Sequence, residues 1–331
     1  MFKRLLALFT RNDSPASAMP RAGSSTQPPL SIDEDERIQE AFLGLVLGVH
    51  SPQDIALNHF EHKSLKRLRS LADSGLGDVQ LVPRMPSVLP RLMSYFRDPE
   101  TTSKELADLI GRDLVSVTEV MRLANSPYYR RSSAARSLEQ AVVVLGQRGL
   151  RQLAANLLIK PLFTGHKGHF SNLAGPLLWT QSEKTAVLYA AMAHDAGSDE
   201  FVAYLAGLVA NLGLLVGCRV LDQAFDGQQT PSSREFRQCW QSASRDLAVG
   251  VARVWELPDG VGDVLQGLQV ETGLPDTCAS QQLYAAERLS ELHCLHQHGR
   301  RELPAPGEFT ASSLLQTYYP LMLSEMRRFT G

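Results

Sequence analysis

Apolar positions recur at three- and four-residue spacing along nearly the whole chain, and each such stretch is bounded by capping or turn residues. The acidic run Asp33, Glu34, Asp35, Glu36 precedes Ile38, Ala41, Phe42, Leu45 and Val46, which is negative charge at the start of a helix followed by one apolar face. Ser51-Pro52 stops that helix and opens a second, through Ile55, Leu57, Phe60, Leu65, Leu68 and Leu71 to the break Gly75-Leu76-Gly77. A third is predicted through Leu89, Leu92, Met93, Tyr95 and Phe96. Thr102 and Glu105 have capping-box spacing before Leu106, Ala107, Leu109 and Ile110, and Val115 to Ala124 forms the next helix, stopped by Asn125-Ser126-Pro127. Ser137 and Gln140 form a second box before Leu138, Ala141, Val142 and Leu145. Further helices are expected around 150–160, 176–195, 201–222, 233–255 and 258–268, and after a break at Gly273-Leu274-Pro275 around 279–298 and 310–328. No segment sustains a two-residue alternation, so the fold class is all-α.

Residues 12–31 are rich in Ser, Pro, Ala and Gly, and such a stretch buries too little apolar surface to offset its ordering entropy. A flexible linker is expected there, with a short amphipathic piece before it, so residues 1–31 form a terminus and linker. Residues 32–77 form a small N-terminal helical unit. The apolar run Ala41–Val49 is about half of the roughly 20 residues a spanning helix needs, and no transmembrane segment is expected.

At 331 residues, 44% of them hydrophobic, the chain is long enough for a sizeable core, and its net charge of -2 excludes a general affinity for polyanions. Any basic surface must be local. The four cysteines, Cys218, Cys239, Cys278 and Cys294, form no CxxC pair, which excludes a zinc ribbon or disulfide scaffold and fits a reducing cytoplasm.

Leu81-Val82-Pro83-Arg84-Met85-Pro86, Arg97-Asp98-Pro99, Glu105 to Ile110, Arg122-Leu123-Ala124-Asn125-Ser126-Pro127 and Ser137-Leu138-Glu139-Gln140-Ala141 together resemble the N-terminal half of the HDOD domain. The resemblance continues through Leu178-Trp179, Leu205-Ala206-Gly207-Leu208 and Trp255-Glu256-Leu257-Pro258, over about residues 80–272. It implies an HDOD domain at 78–272, a C-terminal helical extension at 273–331, and kinship to HD-type bacterial phosphohydrolases, whose histidines and aspartate hold metal ions that activate water. The ligand positions of those enzymes fall here on Gln181, Ala210, Asn211 and Ser244, and a later His-His pair falls on Leu268-Gln269. Alanine and leucine offer no ligand atom, and Ser or a neutral amide binds catalytic divalent metals weakly. The resemblance therefore implies no metal, no cofactor and no catalysis. It implies a signalling regulator that binds a protein partner or a cyclic dinucleotide. A phosphodiesterase with a rebuilt metal site and a nucleic-acid-binding regulator are the alternatives.

Several local signals need separate weighing. His194-Asp195 is a literal HD doublet, but it sits before Gly197-Ser198-Asp199 and reads as a helix end. His293, Cys294, His296 and His298 are metal-capable in type, without a second cluster to complete the set, and read as a solvated helix end. His59 and His62 read as surface positions. Lys104–Asn125 has helix-turn-helix spacing, yet its second helix carries a single arginine, Arg122, so nucleic acid is not expected as a partner. Between Gly111 and Lys160, eight basic residues face three acidic ones. Arg122, Arg130, Arg131, Arg136, Arg148 and Arg151 are the candidate binding surface for an acidic or phosphate-bearing partner, because guanidinium groups bind such anions bidentately.

Overall fold

Among the described residues most helix starts are closed by a side chain that accepts from the first turn. Asn58 Oδ1 accepts from Glu61 N at 2.9 Å while Glu61 Oε2 accepts from Asn58 N at 2.8 Å, a reciprocal capping box. The side chains of Asp199, Ser233, Thr277 and Ser312 accept from first-turn N–H groups of later helices, and Ser137 Oγ accepts from Gln140 N at 3.3 Å. The Gln140 side chain reaches back to Arg136 N rather than to its own cap. The computed structural model describes residues 34–49, 52–74, 76, 81–84, 105, 108, 111, 114–125, 134–270 and 273–329. The linker expected at 12–31, the helix expected through Leu89–Phe96 and most of the first helix-turn-helix helix lie outside them.

The helices are α1 (Glu34–Leu47), α2 (His59–Asp73), α3 (Leu114–Ala124), α4 (Leu138–Thr164), α5 (His169–Asp195), α6 (Glu200–Val209), α7 (Leu212–Ala224), α8 (Arg234–Val254), α9 (Asp259–Gly267), α10 (Cys278–Gln297) and α11 (Ser313–Glu325), followed by a 3-10 turn, Met326–Phe329. The fold is all-α; among the described residues the one β-type pairing is an isolated parallel bridge between Gln53 and Ser233. That bridge explains a difference from the apolar spacing. Pro52 to Asn58 is not helical, because Gln53 N donates to Ser232 O and Gln53 O accepts from Arg234 N, both at 2.9 Å, and α2 begins only at His59. The segment expected at 150–160 belongs to α4, which is continuous from Leu138 apart from a break at Gly146, where φ is 63°. The helix expected at 201–222 is two helices, separated at Ala210-Asn211.

Among the described residues one largely apolar helical stretch, Glu200–Ala224, is longer than the run Ala41–Val49. By length and composition it could cross a membrane, with mean hydropathy 2.0, yet 78% of its most apolar window is buried within the protein. It forms the core: α5 packs on α6, α7, α10, α4 and α1, and α7 packs on α8. The divisions at 77 and 272 do not separate cores, since Asp33–Gly331 is one compact unit and buried residues of α1, α2, α10 and α11 join the same apolar cluster.

Buried polar groups tie the N-terminal helices in. Glu61 is fully buried, and its second carboxylate oxygen accepts from Ser233 N at 2.8 Å, so one side chain serves the starts of both α2 and α8. Arg237 reaches the carbonyls of Glu40 and Val49, both at 3.4 Å. Helix α7 lies unusually close to α8. A Cβ on Gly213 would stand 1.7 Å from Ser244 O, and one on Gly217 would stand 2.4 Å from the Trp240 indole nitrogen. Gly213→Ala is therefore expected to cost about 3 kcal/mol or more by overpacking. Gly262→Ala, helical and with open space at its Cβ, should be neutral or stabilising by up to about 1 kcal/mol. Urea denaturation of the two variants checks both outcomes.

Candidate functional site

The residues at the implied ligand positions come together only in part. Helix α5 presents Gln181 and Ser182, both buried, toward the break between α6 and α7. There Asn211 begins α7 without using its side chain as a cap. Instead, Asn211 Nδ2 donates to Gln181 Oε1 and, at 3.0 Å, to Ser182 Oγ. Gln181 Nε2 donates to Thr185 Oγ1 at 3.0 Å and to Glu287 O of α10 at 3.5 Å. Both ends of the Gln181 carboxamide are thus engaged by protein. Such a buried polar network is neutral and largely self-satisfied, which avoids the desolvation penalty of an unpaired buried group.

Ala210 contributes a methyl group. Ser244 is buried on α8, but its Oγ faces Gly217 of α7, 3.2 Å from where a Cβ there would stand, and has no hydrogen-bond partner. It is not part of the amide network. Leu268 O accepts from Arg245 at 2.8 Å, and Gln269 Nε2 donates to Asp246 at 2.5 Å. Burial pushes the Asp246 carboxyl up, with the Gln269 hydrogen bond opposing it. The donor set at these positions is two carboxamides, one hydroxyl and one methyl, with the Gln181 amide already saturated. That set does not fit a catalytic divalent metal. Among the described residues no group of three His, Cys, Asp or Glu side chains is placed to hold a metal ion.

The literal His194-Asp195 doublet lies elsewhere, in the last turn of α5, where the chain turns through Gly197. Both residues are exposed, and His194 Nδ1 pairs with Glu200. Glu200 also takes Arg148 at 2.6 Å, so one of the candidate arginines is already held by a carboxylate, although its side chain remains 53% exposed. Arg122 and Arg136 are exposed and Arg151 is half-buried. Arg130 and Arg131 lie outside the described residues. His59 and His62 are exposed on α2.

The His293 group differs from a solvated helix end. His296 and His298 are exposed, but His293 and Cys294 face the interior of α10 and are buried. Burial, with the nearby Lys184 charge adding to it, pushes the His293 imidazole down to about 4. The cause of the difference is α5, which packs along α10 up to that point and covers these two positions. No spacing within residues 278–298 could signal a partner more than a hundred positions upstream.

Several residues of the resemblance hold the frame around the site. Trp255 Nε1 donates to Pro83 O at 3.2 Å, and Arg219 donates to Leu81 O at 2.9 Å, so the two ends of the signature meet. Asn125 pairs in both directions with the backbone of Ala135, at 2.7 and 3.0 Å. A Cβ on Gly207 would stand 2.7 Å from Ala186 Cα, which fixes α6 against α5.

The HDOD domain family profile matches residues 82–267. A solved HDOD domain protein of unknown function from Geobacter sulfurreducens superposes with a TM-score of 0.56 at 23% identity, covering 80% of this chain and 88% of that one. A candidate metal-dependent phosphohydrolase from Shewanella amazonensis SB2B gives 0.53 at 19% identity, covering 81% and 100%. A candidate signal transduction protein from Marinobacter aquaeolei VT8 gives 0.53 at 18% identity, covering 85% and 69%. An uncharacterised protein of Treponema pallidum (strain Nichols) is 24% identical over 189 residues, 56% of this chain, and the chain spans about one third of that relative's length. The profile match covers more than half of the chain, and the solved structures share its helical architecture; the chain belongs to the HDOD domain family.

Proposed function

We propose that this HDOD protein is a non-catalytic bacterial signal-transduction regulator that works in the cytoplasm by binding a protein partner. The observation that carries the reading is the hydrogen-bonded amide pair Gln181–Asn211, standing where the resemblance expects two metal ligands. Without a metal-bound hydroxide the domain has neither the nucleophile nor the charge stabilisation that hydrolysis of a phosphodiester needs at neutral pH. What remains is a rigid helical frame with exposed cations. Arg136 is exposed and offers bidentate donors to an acidic protein surface, with Arg122 and the Glu200-paired Arg148 nearby in sequence and Arg130 and Arg131 extending the same stretch. A cyclic dinucleotide carries two phosphates and suits the same donors, so it is the competing ligand in any binding experiment.

The purified protein should carry no stoichiometric iron, manganese or zinc, and should hydrolyse neither cyclic dinucleotides nor nucleotide phosphates above background. His194→Ala and Asp195→Ala should change neither result. Stoichiometric metal together with an activity that those two changes abolish would establish the hydrolase alternative. Steep salt-dependent binding to duplex DNA would establish the nucleic-acid one.

If the amide pair is a structural substitute for the metal, Gln181→Leu and Asn211→Leu should each lower stability by about 1–3 kcal/mol, because each leaves a buried partner unsatisfied. The double variant should then fall short of the sum by about 1 kcal/mol or more in a urea double-mutant cycle. Additive losses would mean that the pair carries no coupling. Replacing Arg130, Arg131 and Arg136 together by Ala should abolish capture of the partner from the native host while leaving the melting temperature nearly unchanged. Undiminished capture would move the docking surface elsewhere.

A further inference from the structure

Helices α5 and α10 run together through the core, and at one point their contact is chemical as well as apolar. Lys184 of α5 is fully buried, and its Nζ stands 3.4 Å from Sγ of Cys294 on α10, itself fully buried. The same Nζ donates to Gln297 Oε1 at 2.5 Å and lies 5.8 Å from the centre of the Phe329 ring. Among the described residues no carboxylate forms an ion pair with this amine. Burial lowers the Lys184 ammonium from its ordinary range, so a free amine is more accessible there than on a surface lysine. The covering layer is thin, since Gln297 is exposed and donates through Nε2 to Phe329 O at 3.2 Å in the terminal 3-10 turn. A small neutral oxidant that passes this one layer reaches sulfur and nitrogen together.

We propose that Lys184 and Cys294 form a covalent latch between α5 and α10, closed by hydrogen peroxide and reopened by a thiol reductant. Proton transfer from Sγ–H to Nζ supplies the thiolate at the point of attack. Peroxide then transfers one oxygen to sulfur, and the hydroxide it releases takes back the proton from Nζ, giving a sulfenic acid, a free amine and one water. The deprotonated Nζ attacks sulfur, the S–O bond breaks, and the hydroxyl departs as a second water with one proton taken from the amine. Thiol, amine and peroxide thus give a sulfenamide and two waters, with sulfur oxidised by two electrons and peroxide reduced by two. Sulfenic acids are known to condense with a nearby nitrogen in this way. Two equivalents of an external thiol return the thiol and the amine and leave as a disulfide.

Burial holds the Cys294 thiol up, to about 11, against the pull of Lys184. The latch is accordingly slow to close and answers sustained rather than transient oxidant. Cys218 is equally buried, but the charges that act on it are those of Asp222 and Arg219, and among the described residues no primary amine is placed against it, so the same chemistry is not set up there. Lys184 lies one turn after Gln181, and Gln181 donates to α10, so the closed latch pins the face of α5 that carries the amide pair. The proposal stands independently of the non-catalytic reading.

The test uses the full chain with Cys239→Ser and Cys278→Ser, treated with hydrogen peroxide, denatured, alkylated and digested with trypsin. Mass spectrometry should find the peptide bearing Lys184 joined to that bearing Cys294, two hydrogens lighter than their sum, with cleavage after Lys184 lost. Dithiothreitol should restore both peptides, and the oxidised protein should melt at a higher temperature than the reduced one. In Lys184→Met the joined species should vanish. Recovery of Cys294 as a fully alkylatable thiol after sustained treatment, or as a sulfinic acid with Lys184 still cleaved, would overturn the proposal. Those readouts need no substitution at either latch residue, so they decide the matter even where Lys184→Met fails to fold.

Discussion

Residues 200–224 would form one straight helix if composition alone governed them, and a straight helix there could not serve both of its partners. Gly207 presses α6 onto the backbone of α5 at Ala186, while Gly213 and Gly217 press α7 onto α8 at Ser244 and Trp240. The change of direction between them falls at Ala210-Asn211. Asn211 makes that turn by placing its backbone carbonyl at the start of α7, where Leu215 N donates to it, and by binding its side chain to Gln181 and Ser182 on α5. Three close helix contacts therefore depend on where one carboxamide is held. The glycines have no Cβ to relieve a shift, so the turn has little tolerance for movement.

On the proposed reading, the same place explains how catalysis can be lost while the fold is kept. Asn has nearly the shape of Asp without its charge. A buried carboxylate deprived of its metal would need a counter-ion or a strongly raised pKa, whereas a carboxamide needs only donors and acceptors. Gln181 and Ser182 supply the acceptors for Asn211 Nδ2, and Thr185 in turn accepts from Gln181, all from adjacent turns of one helix. Ser244 did not join this arrangement. Its hydroxyl lies against Gly217 with no partner, the mark of a position constrained by close packing rather than by recognition.

The sequence displays what is local. Helix starts at Ser137, Ser233, Thr277 and Ser312, and the helix end at His194-Asp195, follow from residues within a few positions of each other. What it conceals depends on distant partners. The turn at Ala210-Asn211 has no proline to mark it and rests on hydrogen bonds to residues about thirty positions upstream. Pro52 to Asn58 has helical apolar spacing, but a pairing with Ser232 to Arg234 keeps it extended. His293 and Cys294 look like solvent-facing residues near a helix end until Lys184 is placed against them. The resemblance implies ligand positions at Gln181 and Asn211, but the hydrogen bond between them is not legible in the sequence, because no spacing rule relates the two.

The order in which the chain is made gives the apolar stretch at 200–224 a further significance. It emerges from the ribosome after α5 but before α8 and α10, whose side chains complete its burial. During that interval a segment with the hydropathy of a membrane span lacks part of the cover it has in the folded protein. The Asn211 carboxamide, which finds its partners on α5 already synthesised, lets the segment fold back on itself before the rest of the protein exists.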